Sequence, residues 1–231
     1  PLRERRRPLS ATPALPRYTR REAIANRLTH GVGIVAAIAG LAVLTAFAAL
    51  RGDAWHIVGC SVFGATLILL FTESTLYHGV WAEGCKPFLR ALDHSAIFLL
   101  IAGTYTPFML VNLRGPWGWS LLVAIWTLGL AGISLRLLLK GRLHGLVVAL
   151  YIAMGWAVVV AIQPLITHVG AGGLALLAGG GLAYTGGVAF YKWRRLPYHH
   201  AIWHGFVLLG STLHFFAVLF YVIPWPPAEV G

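Results

Sequence analysis

Five side chains would support hydrolytic chemistry if the fold brought them together: His78, His200, His204, Asp93 and Ser74. His200 and His204 stand four apart, so on a helix both project from one face and could share one metal ion. That spacing is weak by itself, because ten histidines in 231 residues produce roughly 0.4 such pairs by chance. Depth adds weight. His78 closes one apolar run, and Asp93 opens the next after a short loop, at the same expected membrane face as His200. Three imidazoles can hold Zn2+ with one coordination position left open, and a nearby carboxylate can then take a proton from water. Ser74 precedes His78 by four residues and shares its helical face. Spacing and depth leave a second account open, in which these groups make interhelical hydrogen bonds or reach lipid headgroups.

The elements that must position these residues are membrane helices. Hydrophobic residues make up 58% of the chain and charged residues only 11%, whereas a soluble domain carries about 25% charged residues. The apolar residues come in unbroken runs, not the alternation of a transmembrane barrel strand. Soluble α/β and β folds are excluded. Runs long enough to cross a bilayer occur at 28–50, 55–80, 92–112, 118–138, 144–166, 171–191 and 200–223. The expected fold is an all-α integral membrane protein, a seven-transmembrane helix bundle over residues 22–224. Residues 1–21 read as a disordered basic tail and 225–231 as a short C-terminal tail.

Charge sets the expected orientation. There are 18 Lys plus Arg against 7 Asp plus Glu, a formal net charge of +11. Sixteen of the basic residues fall on one side of the expected bundle and only Arg51 and Arg114 on the other. The positive-inside rule then predicts a cytoplasmic N-terminus and an external C-terminus, with the chain multi-pass in the cell inner (plasma) membrane. This pattern accounts for the excess charge without a nucleic-acid partner; the basic tail meets anionic lipid headgroups instead. The first apolar run and the charged stretch ahead of it are too long for a cleaved signal peptide. Cys60 and Cys85 lie too far apart for a disulfide or a metal pair.

Other polar groups have separate readings. Glu22, Asn26 and His30 recur every four residues and form a network that would orient the metal ligands. His214 is too deep to join His204 on one ion, so a structural hydrogen bond is expected. Pro107 predicts a kink whose freed carbonyls Thr104 and Thr106 satisfy. Glycines at 172, 173, 179–181, 186 and 187 predict close helix packing. Trp55, Trp81, Trp117, Trp119, Trp193 and Trp225 form an interfacial belt. Arg51-Gly-Asp53 spells an adhesion tripeptide in a short loop and is read as coincidence.

Five motifs in order carry a resemblance: Glu22-Ala-Ile-Ala-Asn26-Arg-Leu-Thr-His30-Gly, Ser74-Thr-Leu-Tyr77-His78, Leu92-Asp93-His-Ser-Ala-Ile97, Ala102-Gly-Thr-Tyr-Thr-Pro107 and His200-Ala-Ile-Trp-His204. They resemble the hemolysin III family, the bacterial branch of the progestin and adipoQ receptor (PAQR) group. The resemblance implies that His78, His200 and His204 match the three zinc-ligating histidines of the adiponectin-receptor relatives. Asp93 matches the aspartate that holds the zinc-bound water, and Ser74 the serine beside the site. The group has been placed with alkaline ceramidases in a superfamily of membrane hydrolases. The expected activity is therefore zinc-dependent hydrolysis of a lipid amide or ester at the cytoplasmic leaflet, with a membrane lipid as substrate or ligand. A membrane-homeostasis sensor with structural zinc and a pore-forming haemolysin are the alternatives.

Overall fold

The computed structural model describes residues 18–80, 82, 84–139 and 143–225. Expectations for 1–17, Trp81, Lys140, Arg142 and 226–231 lie outside the described residues. The order is α1 (Arg20–Arg51), α2 (Ala54–Gly79), α3 (Lys86–Leu110), α4 (Pro116–Leu138), α5 (His144–Trp156), a 3-10 turn (Ala157–Ala161), α6 (Ile162–Lys192) and α7 (His199–Tyr221). Among the described residues there is no strand. Five helical stretches are long and apolar enough to cross a membrane, His144–Lys192 counting as one.

The ends of the helices follow from local chemistry. α1 starts well before its apolar run because Thr19 and Glu22 cap it reciprocally. The Glu22 N–H donates to Thr19 Oγ1 and the Thr19 N–H donates to Glu22 Oε2 at 2.9 Å. Arg20 and Arg21, read from the sequence as tail, are thus the first residues of α1, and Thr19 caps it. Asp53 caps α2 by accepting the backbone N–H groups of Trp55 and His56, and Arg114 reaches its other oxygen at 3.3 Å. The aspartate of the Arg-Gly-Asp tripeptide is a helix cap.

α3 is the long helix outside this apolar set, and its position explains why. It packs against α2, α4, α5 and α7, and its Phe98 and Ala102 are fully enclosed. A helix surrounded by other helices need not match lipid on every face, so it can carry Lys86, Arg90, Asp93 and His94. Where α2 crosses it, a Cβ on Gly59 would stand 2.7 Å from Pro107 Cα. Only glycine allows that approach.

Two expectations change here. Thr104 and Thr106 do not satisfy the carbonyl that Pro107 frees, which is that of Gly103. Their hydroxyls donate to Leu100 O and Ala102 O, both at 2.8 Å, each one helical turn back. The glycines of α6 also divide. Gly173, Gly180 and Gly187 lie tight against α7, but Gly186 has nothing nearer than Phe206 at 4.0 Å. Within α6 the chain kinks at Gly170, whose φ of 74° and ψ of 167° are open to glycine and strained for other residues.

Three further expectations agree with the structure. Trp55, Trp117, Trp119, Trp193 and Trp225 are all exposed near helix ends. Cys60 and Cys85 are free. His214 donates from Nδ1 to Gly210 O at 2.8 Å, a bond within its own helix.

Candidate metal centre

The last turn of α2 and the first turns of α7 carry His78, His200 and His204 to one place. All three are buried, and one nitrogen from each lies within 4.8 Å of the other two. His78 Nε2 and His200 Nε2 are 3.2 Å apart. Tetrahedral zinc with Zn–N bonds of about 2.0–2.1 Å separates two ligand nitrogens by about 3.3 Å. The pair therefore already stands at the spacing that zinc requires.

α1 orients the third imidazole. His204 Nδ1 lies 3.1 Å from the Asn26 carbonyl and 3.0 Å from Thr29 Oγ1. The Thr29 hydroxyl donates its own proton to Ala25 O at 2.9 Å, so it can accept one. Nδ1 is therefore the protonated nitrogen, and Nε2 keeps its lone pair, which is the tautomer a ligand needs. His30 lies flat against the same ring, centroids 3.6 Å apart. The trio can hold a metal ion: it offers three buried imidazoles, one with its tautomer set from behind.

Glu22 acts further away. Its Oε1 accepts the N–H of Tyr198 at 3.2 Å. Tyr198 has φ of 58° and is the left-handed residue that turns the chain into α7. Glu22 thus ties the start of α1 to the start of α7, two residues before His200. Asn26 contributes its backbone to the centre, while its fully buried amide has no partner at either atom.

Asp93 and Ser74 share a cavity with two of the histidines. The cavity is about 150 Å3 and is lined by Ser74, Asp93, His200 and His204 at one end and by apolar residues such as Leu100 and Val207 beyond. It adjoins a second cavity of about 240 Å3 across Thr104, Tyr105, Trp156 and His214. Asp93 is only 13% exposed, and its Oδ2 lies 3.2 Å from His94 Nδ1. Outside the helices, Tyr18 packs its ring 5.6 Å from His78 and 5.4 Å from His200. Burial pushes its phenol well above the usual range, so it stays a neutral O–H.

A family model described as haemolysin-III related matches residues 18–215. The chain belongs to this haemolysin-III-related family. It is 45% identical over 209 residues to the "Hemolysin-3 homolog" of Bacillus subtilis (strain 168), covering 90% of this chain and 98% of the relative. It is 46% identical over 204 residues to "Hemolysin-3" of Bacillus cereus, covering 88% and 93%. The human "Monocyte to macrophage differentiation factor" is 32% identical over 225 residues, covering 93% and 91%. No solved structure matches. The haemolysin-III-related assignment agrees with the resemblance read from the motifs, and with the apolar helices it makes the chain a membrane protein.

Within this haemolysin-III-related chain, sequence reasoning missed Thr29, Tyr18 and Tyr198. Thr29 lies inside the first motif and was open to notice there. Tyr18 and Tyr198 carry no spacing signal, because their contacts with the centre depend on how α1 meets α7.

Proposed function

We propose that this protein is a zinc-dependent hydrolase of a lipid amide or ester, working at the leaflet where His78, His200 and His204 lie. The observation that supports this most is the cavity, which ends on His200, His204, Asp93 and Ser74. A purely structural metal has no need of an apolar cavity beside it, and this favours catalysis over a structural zinc in a sensor.

Bound zinc supplies Lewis acidity and lowers the pKa of water to about 7. The chain's own residues do the rest. Asn26 O and Thr29 Oγ1 hold His204 in its ligand tautomer. The Asp93 carboxylate takes the proton released as water attacks, and returns it to the leaving amine or alcohol. Ser74, on the same helix as His78, donates a hydrogen bond to the oxygen on which charge develops. The apolar walls around Leu100 and Val207 exclude water and receive an acyl chain.

The same reading extends to topology. A straight helix over the 49 residues of His144–Lys192 would be about 73 Å long, against a hydrocarbon core of about 30 Å. Turning at Gly170 divides it into two arms, each long enough to cross. With α3 counted, the chain crosses seven times, N-terminus in the cytoplasm, in the plasma membrane.

The test is Asp93→Asn, with metal content and lipid-product release measured on one preparation. The variant should keep its metal and lose about 10²–10⁴-fold in turnover. Turnover at the wild-type rate would remove the mechanism.

A further inference from the structure

Arg136 is a buried guanidinium without a counter-ion among the described residues. It lies in the last turn of α4 and is 4% exposed. Its Nη2 donates to the Arg90 carbonyl at 3.3 Å, while its Nε is enclosed without a partner. The Nε of Arg90, on the neighbouring α3, is enclosed and unpartnered in the same way. Arginine does not shed its proton inside a protein. Among the described residues, no carboxylate stands within ion-pairing distance of either group. The ion pairs found there join Asp53 to His56 and Arg114, and Asp93 to His94. A buried charge left this way is costly, so the cluster is complete only with an anion.

A chain of hydrogen bonds leads from the two arginines through His94 to Tyr191 and His144. The Tyr191 hydroxyl is 2.8 Å from His144 Nε2 and 3.5 Å from His94 Nε2. The Arg90 carbonyl accepts from His94 Nδ1 at 3.0 Å as well as from Arg136, so one atom joins α3 to α4. α3, α4, α5 and α6 all contribute to this one cluster.

We propose that Arg136 and Arg90, linked through His94 to Tyr191 and His144, bind the phosphate of an anionic phospholipid headgroup. Two planar guanidiniums offer forked donors that match a phosphate. The start of α3 and the end of α4 lie where membrane helices meet headgroups, so lipid phosphate is concentrated there and free phosphate is not. The site shares no residue with His78, His200 and His204. Tyr191 also lines the cavity beside the metal trio, but the arginines do not, and the phosphate reading needs no metal.

The test is the thermal unfolding midpoint of the purified full chain in a neutral detergent, titrated separately with dioleoylphosphatidylglycerol, dioleoylglycerol and inorganic phosphate. Phosphatidylglycerol should raise the midpoint, and Arg136→Gln should weaken its apparent affinity by about tenfold or more. Arg90→Gln should weaken it in the same direction. Dioleoylglycerol, with the same chains and no phosphate, should have no effect, and inorganic phosphate should act only at far higher concentration. Arg136→Lys keeps the charge but loses the fork; it serves if Arg136→Gln does not elute as folded protein, and should also bind more weakly. An unchanged response to phosphatidylglycerol in the folded Arg136 and Arg90 variants overturns the site. An equal response to dioleoylglycerol overturns the role of phosphate, and inorganic phosphate binding as tightly as the lipid overturns the headgroup assignment.

Discussion

The His30 ring lies stacked on the His204 ring, their centroids 3.6 Å apart and their planes inclined by 16°. Both His30 nitrogens are enclosed without a hydrogen-bond partner. His30 therefore meets His204 through its face. It sets the plane of a candidate ligand that Asn26 O and Thr29 Oγ1 hold at one edge. His30→Ala should weaken metal affinity by about 10–100-fold, the usual effect of losing a residue that orients a ligand. His30→Phe keeps a flat ring and should retain most of the affinity. Competition with a zinc-sensitive dye separates the two. Equal loss in both variants would mean that a His30 nitrogen, not its face, matters.

The ligand set predicts about one zinc per chain. Metal analysis of His78→Ala, His200→Ala and His204→Ala should find most of it gone. His56 caps α2 beside Asp53, and His168 bonds to Pro164 O within its own helix. Changing either of those to Ala should leave the metal content intact. Full retention without His200 would rule out the trio as the site.

Gly186 and Gly187 make a paired test of the packing between α6 and α7. A Cβ on Gly187 would lie 2.6 Å from the Trp203 ring and 2.7 Å from Phe206 Cβ. Gly187→Ala should cost about 1–3 kcal/mol by overpacking. The neighbouring Gly186→Ala meets only Phe206 at 4.0 Å and should be neutral, or stabilising by up to about 1 kcal/mol through helix propensity. Unfolding in mixed micelles measures both, and equal effects would show that these helices do not meet along this line.

Asp53 gives a pH prediction at the other end of the bundle. The His56 side chain bonded to it, with the backbone N–H groups of His56 and Trp55, lowers its carboxyl from the usual 3.8 to about 2. A depressed carboxylate stabilises the fold above its unfolded pKa and loses that contribution as pH falls through its folded one. Wild type should therefore be more stable than Asp53→Ala above about pH 4. The difference should shrink steadily toward pH 2, where protonation removes the cap. A stability gap that does not change over this range would show that the cap works without its charge.

The topology proposal is tested by a reporter fused after Gly231 that is active only in the cytoplasm. The sixteen-to-two distribution of Lys and Arg predicts no activity there. A signal would reverse the orientation.

Much of this protein was legible in its sequence. Unbroken apolar runs dictate membrane helices, because a backbone in lipid must satisfy its own hydrogen bonds. The (i, i+4) spacing put His200 and His204 on one face of α7, and the ordered motifs identified the family and the partner histidine on α2. Those are properties of composition, period and order, which a chain carries before it folds. The tertiary structure alone decided the rest. His204 takes its tautomer from Thr29 and Asn26, which lie 175 and 178 residues away in the sequence. Arg136 is buried beside Arg90 because α4 packs on α3, although its place at the end of an apolar run suggested a solvated topology charge. Pro107 lies inside α3, but the nearby threonines do not serve the carbonyl it frees, because each hydroxyl reaches the carbonyl one turn behind it. Such contacts depend on which faces of distant helices meet, and that is set by the packing of all of them together.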